Sequence, residues 1–186
     1  MVGREGLRAA VGGDVGPGAV IRLLVAGVGN VLLGDDGFGV EVARRLETMQ
    51  LPEGVRVVET GIGGIALVQE LQEGWDALIV VDAVDVGRPP GTVVVIDPAV
   101  VDVDTLDWAA RHDLLADMHL ATPERALMLA RALGVLPPVV RLVGCQPRDA
   151  ERLGIGLDPV IERAVDEAVS QVLLELEALT SARHDG

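Results

Sequence analysis

From residue 21 to about residue 180, short apolar runs rich in Val, Ile and Leu alternate with segments of helical spacing. That alternation admits few folds. Successive strands that each hand over to a helix make parallel neighbours, and a parallel sheet needs helices on both faces. Five runs read as strands: Ile21–Ala26, Val55–Val58, Ala77–Val81, Thr92–Ile96 and Val139–Val143. Ala77–Val81 is apolar throughout and ends at Asp82, the pattern of a strand buried on both sides. Between them, Val40–Met49, Ile65–Leu71 and Pro123–Leu133 have helical spacing, with Thr122 at an N-cap position and Pro123 suited to the first turn. A last helix runs from an Asp158 cap, with Pro159 behind it, to about Leu179. The expected fold is therefore α/β: a three-layer α/β/α sandwich on a mostly parallel, about five-stranded sheet.

The alternation also sets the domain organisation. Residues 1–20 are glycine-rich without a period and read as a flexible N-terminal tail; residues 21–180 form a single domain; residues 181–186 read as a frayed C-terminal tail. The N-terminal stretch lacks the apolar core of a signal peptide, so a cytoplasmic location is expected. In such sheets function gathers at the carboxyl ends of the strands. Three connections then matter most: Gly27–Gly39, Asp82–Pro90 and Ala110–Thr122.

Composition removes several chemistries. The formal net charge is −14, unlike a nucleic-acid binder, and no apolar run approaches the 18 or so residues of a membrane span. The chain has no Lys, so neither a P-loop lysine nor a pyridoxal-phosphate Schiff base is possible. Its only serines, Ser170 and Ser181, lie outside any G-x-S-x-G elbow. Its single cysteine, Cys145, allows neither an internal disulfide nor a cysteine zinc site, and reads as a small buried or strand-end residue rather than a nucleophile. Histidine chemistry is confined to His112, His119 and His184.

The first connection, Gly27 to Gly39, is glycine-rich and follows a strand, as in dinucleotide sites. The fingerprint fails at its third glycine, where Leu32 stands, and Asp35 and Asp36 would repel a pyrophosphate. These two acids precede a helix and could cap it, although adjacent side chains point apart and one could face the loop. Asp82 closes a buried strand, where an unpaired carboxylate is costly unless it is paired, protonated or bound to a metal. Asp85 reads as a solvated loop residue. Two aspartates and a histidine from separate loops would make an O,O,N site suited to zinc, nickel, cobalt or manganese.

At this point the residues resemble a known family. The stretch Val25 to Val40, with Gly27-Val28-Gly29-Asn30-Val31-Leu32-Leu33-Gly34-Asp35-Asp36-Gly37-Phe38-Gly39 at its heart, is similar to the opening motif G-x-G-N-x-L-x-x-D-[DE]-x-x-G of the NiFe-hydrogenase maturation endopeptidases. Val80-Val81-Asp82-Ala83 resembles their second acidic motif, and Met118-His119 precedes a helix ending at Gly134 as the family histidine does. Leu142–Pro147 and Gly156–Pro159 resemble the C-terminal strand, loop and final helix. The likeness covers residues 21–179.

The resemblance implies an aspartic-type, metal-recognising peptidase that cleaves a C-terminal extension from a NiFe-hydrogenase large-subunit precursor after nickel insertion. It implies Asp36, Asp82 and His119 as both nickel-recognition and catalytic residues. It also implies substrate contacts at Asn30, Asp35, Gly61, Gly63 and Gly64. The nickel arrives with the substrate, the free protein is expected to be largely metal-free, and a monomer is expected because the partner is another protein. One departure stands out: where the family often has D-G-G-T-x-G, this chain has Glu59-Thr60-Gly61-Ile62-Gly63-Gly64, with Ile62 at the usual threonine position. Two other functions are weighed against this one. The turn Gly27-Val28-Gly29-Asn30 also resembles peptidyl-tRNA hydrolases, but those need an early histidine and a basic face, and here no histidine precedes His112. The same three ligands could instead serve a nickel checkpoint or chaperone that docks on the large subunit without cutting it.

Overall fold

A computed structural model of the chain describes residues 20–62, 64–109 and 122–184. The expected alternation is present. Five strands, β1 (Leu23–Val28), β2 (Val55–Gly61), β3 (Ala77–Ala83), β4 (Val93–Ile96) and β5 (Val139–Cys145), form one sheet in the order β2-β1-β3-β5-β4. The first four in that order run parallel, and β4 lies antiparallel to β5 at the edge. Among the described residues, four helices cover it: α1 (Phe38–Glu47), α2 (Gly64–Leu71), α3 (Pro123–Ala132) and α4 (Pro159–His184).

Period-two alternation along the central strands divides the core. Leu23 and Val25 of β1 and Ala77, Ile79 and Val81 of β3 face one layer, with Phe38, Val42 and Leu46 of α1 and the stripe Ile161–Val165–Val172–Leu179 of α4. Leu24, Ala26 and Val28 of β1 and Leu78 and Val80 of β3 face the other, with Leu67, Val68 and Leu71 of α2 and Ala126, Leu127 and Ala130 of α3. Continuous apolar runs in β1 and β3 are thus explained: both strands are buried on both faces.

The strand order places the functional end. From β1 the chain passes through α1 on one face to β2, then through α2 on the other face to β3, on the far side of β1. The carboxyl ends of β1 and β3 therefore flank the point where connections leave in opposite directions, where a crevice opens in sheets of this kind.

Some boundaries differ from expectation. β1 begins at Leu23 and runs to Val28, and β3 carries Asp82 and Ala83 within the strand. The last helix continues to His184, so residues 181–184 belong to it and not to a frayed tail. Buried apolar residues at helical spacing reach Leu179 and hold its last turns against the sheet. Asp158 caps this helix as expected, its Oδ1 accepting from Val160 N at 2.9 Å. Thr122 stands at the N-cap of α3 with extended backbone, but its hydroxyl makes no capping bond. The tail expected over residues 1–20 lies, but for Val20, outside the described residues.

Candidate active site

Gly27 and Gly39 let α1 press its first turn onto the strand ends. A Cβ on Gly39 would collide with the carbonyl oxygens of Val81 and Val28, and one on Gly27 with the carbonyl of Gly39. Gly29 has φ of +136°, and a Cβ there would collide with the carbonyl of Asp36. These close approaches fold the segment after β1 into a tight loop and a 3-10 turn, Gly34–Gly37, which carries both acids over the sheet edge.

The two acids do different work. Asp35 is buried, and its carboxylate accepts three backbone N–H groups from the far end of the chain. Oδ2 takes those of Arg148 (2.9 Å) and Asp149 (3.0 Å), and Oδ1 takes that of Asp158 (2.7 Å). Asp35 is the residue expected to touch substrate; here both its oxygens accept from backbone N–H groups within the fold. Neither acid caps the turn they occupy. Asp36 is half-buried, and its Oδ2 accepts from Asn30 N at 2.7 Å. Asn30 in turn uses its own amide oxygen to accept from Leu32 N at 3.0 Å, so that oxygen shapes the loop.

Asp82 lies at the end of β3, between Val81, paired with Gly27, and Ala83, paired with Cys145. It is buried and lines the same cleft as Asp36. Burial pushes its carboxyl well above the ordinary range, the negative charge of Asp36 adds to that, and the N–H of Ala83 opposes it. Burial also raises Asp36, against the N–H of Asn30. The two carboxylates therefore compete for ionisation in one site, the condition that separates a proton-holding acid from a base or favours a shared cation.

The cleft has a volume of about 540 Å³. Its acidic wall is Asp36, Asp82, Asp85 and Glu124; Val28, Ile62, Val84 and Leu142 supply an apolar wall. Asp85 is exposed as expected, its Oδ1 accepting from Gly87 N at 3.0 Å, and it also borders the cleft. Gly61, at φ of +57°, ends β2 beside the first loop, its carbonyl accepting from Gly29 N at 3.1 Å; Gly64 starts α2 and is buried. Ile62, the departure from the family motif, stands 65% exposed on the cleft wall. Gly63, His112 and His119 lie outside the described residues, so the third expected ligand has no described position. Thr122, Pro123 and Glu124 at the start of α3, the element that follows His119 in sequence, line the cleft.

Sequence reasoning missed Gln146. It is buried just beyond β5, and its Oε1 accepts from Val86 N (2.8 Å) and Arg88 N (3.2 Å) in the connection that follows Asp82. Its signal was a polar residue directly after an apolar strand, as at Asp82. Cys145, by contrast, is buried as expected. Burial first, then the charges of Asp35 and Glu167, push its thiol up to about 12 despite the N–H of Gly91, so it is no nucleophile at neutral pH.

The fold and the cleft define a doubly wound α/β domain with a carboxylate pair at its switch point, and known proteins share the fold. Residues 40–175 match the family model for hydrogenase maturation protease. The hydrogenase expression/formation protein HupD of Rhodobacter capsulatus is 38% identical over 84% of this chain and 72% of its own. The maturating endopeptidase HybD of Escherichia coli superposes with a TM-score of 0.66 at 31% identity, over 84% of this chain and 93% of its own. A hydrogenase 2 maturation peptidase from the Thaumarchaeota archaeon SCGC_AB-539-E09 does so with a TM-score of 0.60 at 36% identity, over 83% and 97%. The chain belongs to the hydrogenase maturation protease family and is a peptidase. Among the described residues, no helix is long and apolar enough to cross a membrane.

Proposed function

We propose that the chain is an endopeptidase that removes the C-terminal extension of a NiFe-hydrogenase large-subunit precursor once nickel is in place. The observation that carries the reading is the pairing of Asp36 and Asp82 in one cleft at the end of β1 and β3, each held above its ordinary pKa. Two desolvated carboxylates repel one another, and a divalent cation arriving with the substrate relieves that repulsion and displaces any proton they hold. Nickel is thus cargo of the substrate, recognised by Asp36 and Asp82 with His119 as a nitrogen ligand. The apolar wall of Ile62, Val84 and Leu142 receives the peptide beside the metal. Hydrolysis would add the oxygen of a water to the peptide carbonyl carbon and break the C–N bond, one carboxylate of the pair taking the water's proton and returning it to the leaving amine, while nickel carried by the substrate would lower the water's own pKa. The buried, protonated Cys145 and the absence of a serine elbow agree with a mechanism that has no covalent intermediate.

The test is the intact mass of a nickel-loaded large-subunit precursor incubated with and without the protein. A loss matching one C-terminal peptide, absent with nickel-free precursor, is expected. No loss, together with a stable complex on a sizing column, would identify a nickel checkpoint and overturn the endopeptidase reading. Folded Asp36→Ala and Asp82→Ala variants that cut at the normal rate would overturn the assigned residues.

A further inference from the structure

Two buried polar side chains, Asp35 and Gln146, take no part in the chemistry above, yet both bind the loops that carry it. They meet in one stretch of chain, residues 146–158. Asp35 reaches into it through the N–H groups of Arg148, Asp149 and Asp158. Gln146, its first residue, reaches out through Val86 N and Arg88 N to the connection after Asp82. Backbone pairing reinforces the first junction: Gly34 N donates to Gly154 O and Gly154 N to Leu32 O, both at 2.9 Å. It reinforces the second too, with Gly91 N donating to Gln146 O and Gln146 N to Thr92 O, both at 2.9 Å.

We infer that Asp35 and Gln146 are positioning residues, which brace the loop that carries Asp36 and the connection that follows Asp82 against the 146–158 segment and so set where Asp36 and Asp82 stand. The reason is geometric. Asp36 follows Asp35 directly, so fixing both oxygens of Asp35 fixes the plane from which Asp36 projects. A carboxylate is needed because three N–H donors converge on it, and bonds from N–H to a charged acceptor are the strong ones. The bond from Asn30 N to Asp36 Oδ2 reports directly whether Asp36 is held.

The test compares Asp35→Asn with Asp158→Ala in the full chain. Asn offers one oxygen for three donors, and its NH₂ must then face an N–H. Asp158→Ala removes the α4 cap and the ion pair with Arg148, but leaves the Asp158 N–H for Asp35. Both variants lose stability; only the first frees Asp36. NMR hydrogen exchange of the Asn30 amide, corrected for global stability, is expected to quicken by about tenfold in Asp35→Asn and to stay within about twofold in Asp158→Ala. Asp36→Ala supplies the reference for the lost bond. Gln146→Met gives an independent reading through the Ala83 amide, which is expected to quicken likewise. Equal exchange in the two aspartate variants would reduce Asp35 to a stability role and overturn the inference, as would an undisturbed Ala83 amide in Gln146→Met. The kinetic arm rests on the proposed function: kcat for precursor processing falls about tenfold in Asp35→Asn with KM unchanged. If the wild-type protein cuts no precursor while the amides respond as expected, the proposed function fails and the positioning role stands.

Discussion

Replacing Gly39 by Ala tests how the site is assembled. Gly39 is the second residue of α1, and in a helix Ala is usually better than Gly by about 1 kcal/mol. Here the added Cβ would collide with Val81 O and Val28 O and lie 2.8 Å from Val28 N. All three are backbone atoms of buried central strands, so no side chain can turn aside; α1 must lift. Overpacking of this sort costs about 1–3 kcal/mol, and three rigid neighbours put this site at about 3. Subtracting the helix gain leaves a net loss of about 2 kcal/mol. At about 2–4 °C per kcal/mol for a chain of this size, Tm falls by about 4–8 °C. The lift also carries Asp36, three residues earlier, away from Asp82, the neighbour of Val81. Processing should therefore fall far more than stability does, by about 100-fold for a displacement near 1 Å. Scanning calorimetry and intact-mass kinetics on the same preparation measure both effects. A Gly39→Ala protein as stable as wild type would falsify the claim that α1 is held by glycine contact. Normal processing despite the lower Tm would break the link between α1 seating and the carboxylate pair.

Asp82→Asn should abolish processing while stabilising the fold at neutral pH. The folded-state pKa of Asp82 is raised, so the folded chain binds more protons than the unfolded one between the ordinary carboxylate value and the raised one. Wild-type stability from this group is kept at low pH and falls as pH rises through that window; Tm curves of the two proteins from about pH 4 to about pH 8 should diverge in favour of the variant. Phe38→Ala, at a fully buried position where α1 meets the sheet, should cost about 3–5 kcal/mol by urea unfolding, with m unchanged. Native protein should resist iodoacetamide until it unfolds, because Cys145 is buried with its thiol pushed up to about 12; rapid labelling of the folded state would contradict its placement in the core.

Much of the molecule was legible in its residues. Apolar runs of strand length, with helical stripes between them, required a helix-covered parallel sheet, since only that arrangement buries both faces of Ala77–Val81. The carboxylates Asp36 and Asp82 were legible as candidates because a polar residue ending a buried strand, or following a glycine loop, stands at the functional end of such a sheet. The helix end at His184 was misjudged because the apolar stripe stops at Leu179 while the backbone ladder runs on.

Which acid does what was not legible. Asp35 and Asp36 are chemically identical and adjacent, and helix capping served both equally well as an explanation. Only the arrival of Arg148, Asp149 and Asp158, more than a hundred residues away in sequence, occupies one carboxylate and leaves the other to the cleft. The same holds for Gln146, whose partners Val86 and Arg88 come near only because β5 lies beside β3. Periodicity and residue type act locally and determined the layers and the acidic inventory. Hydrogen bonds between distant loops depend on strand order, so the tertiary structure alone decided which carboxylate binds backbone N–H groups across the fold and which lines the cleft.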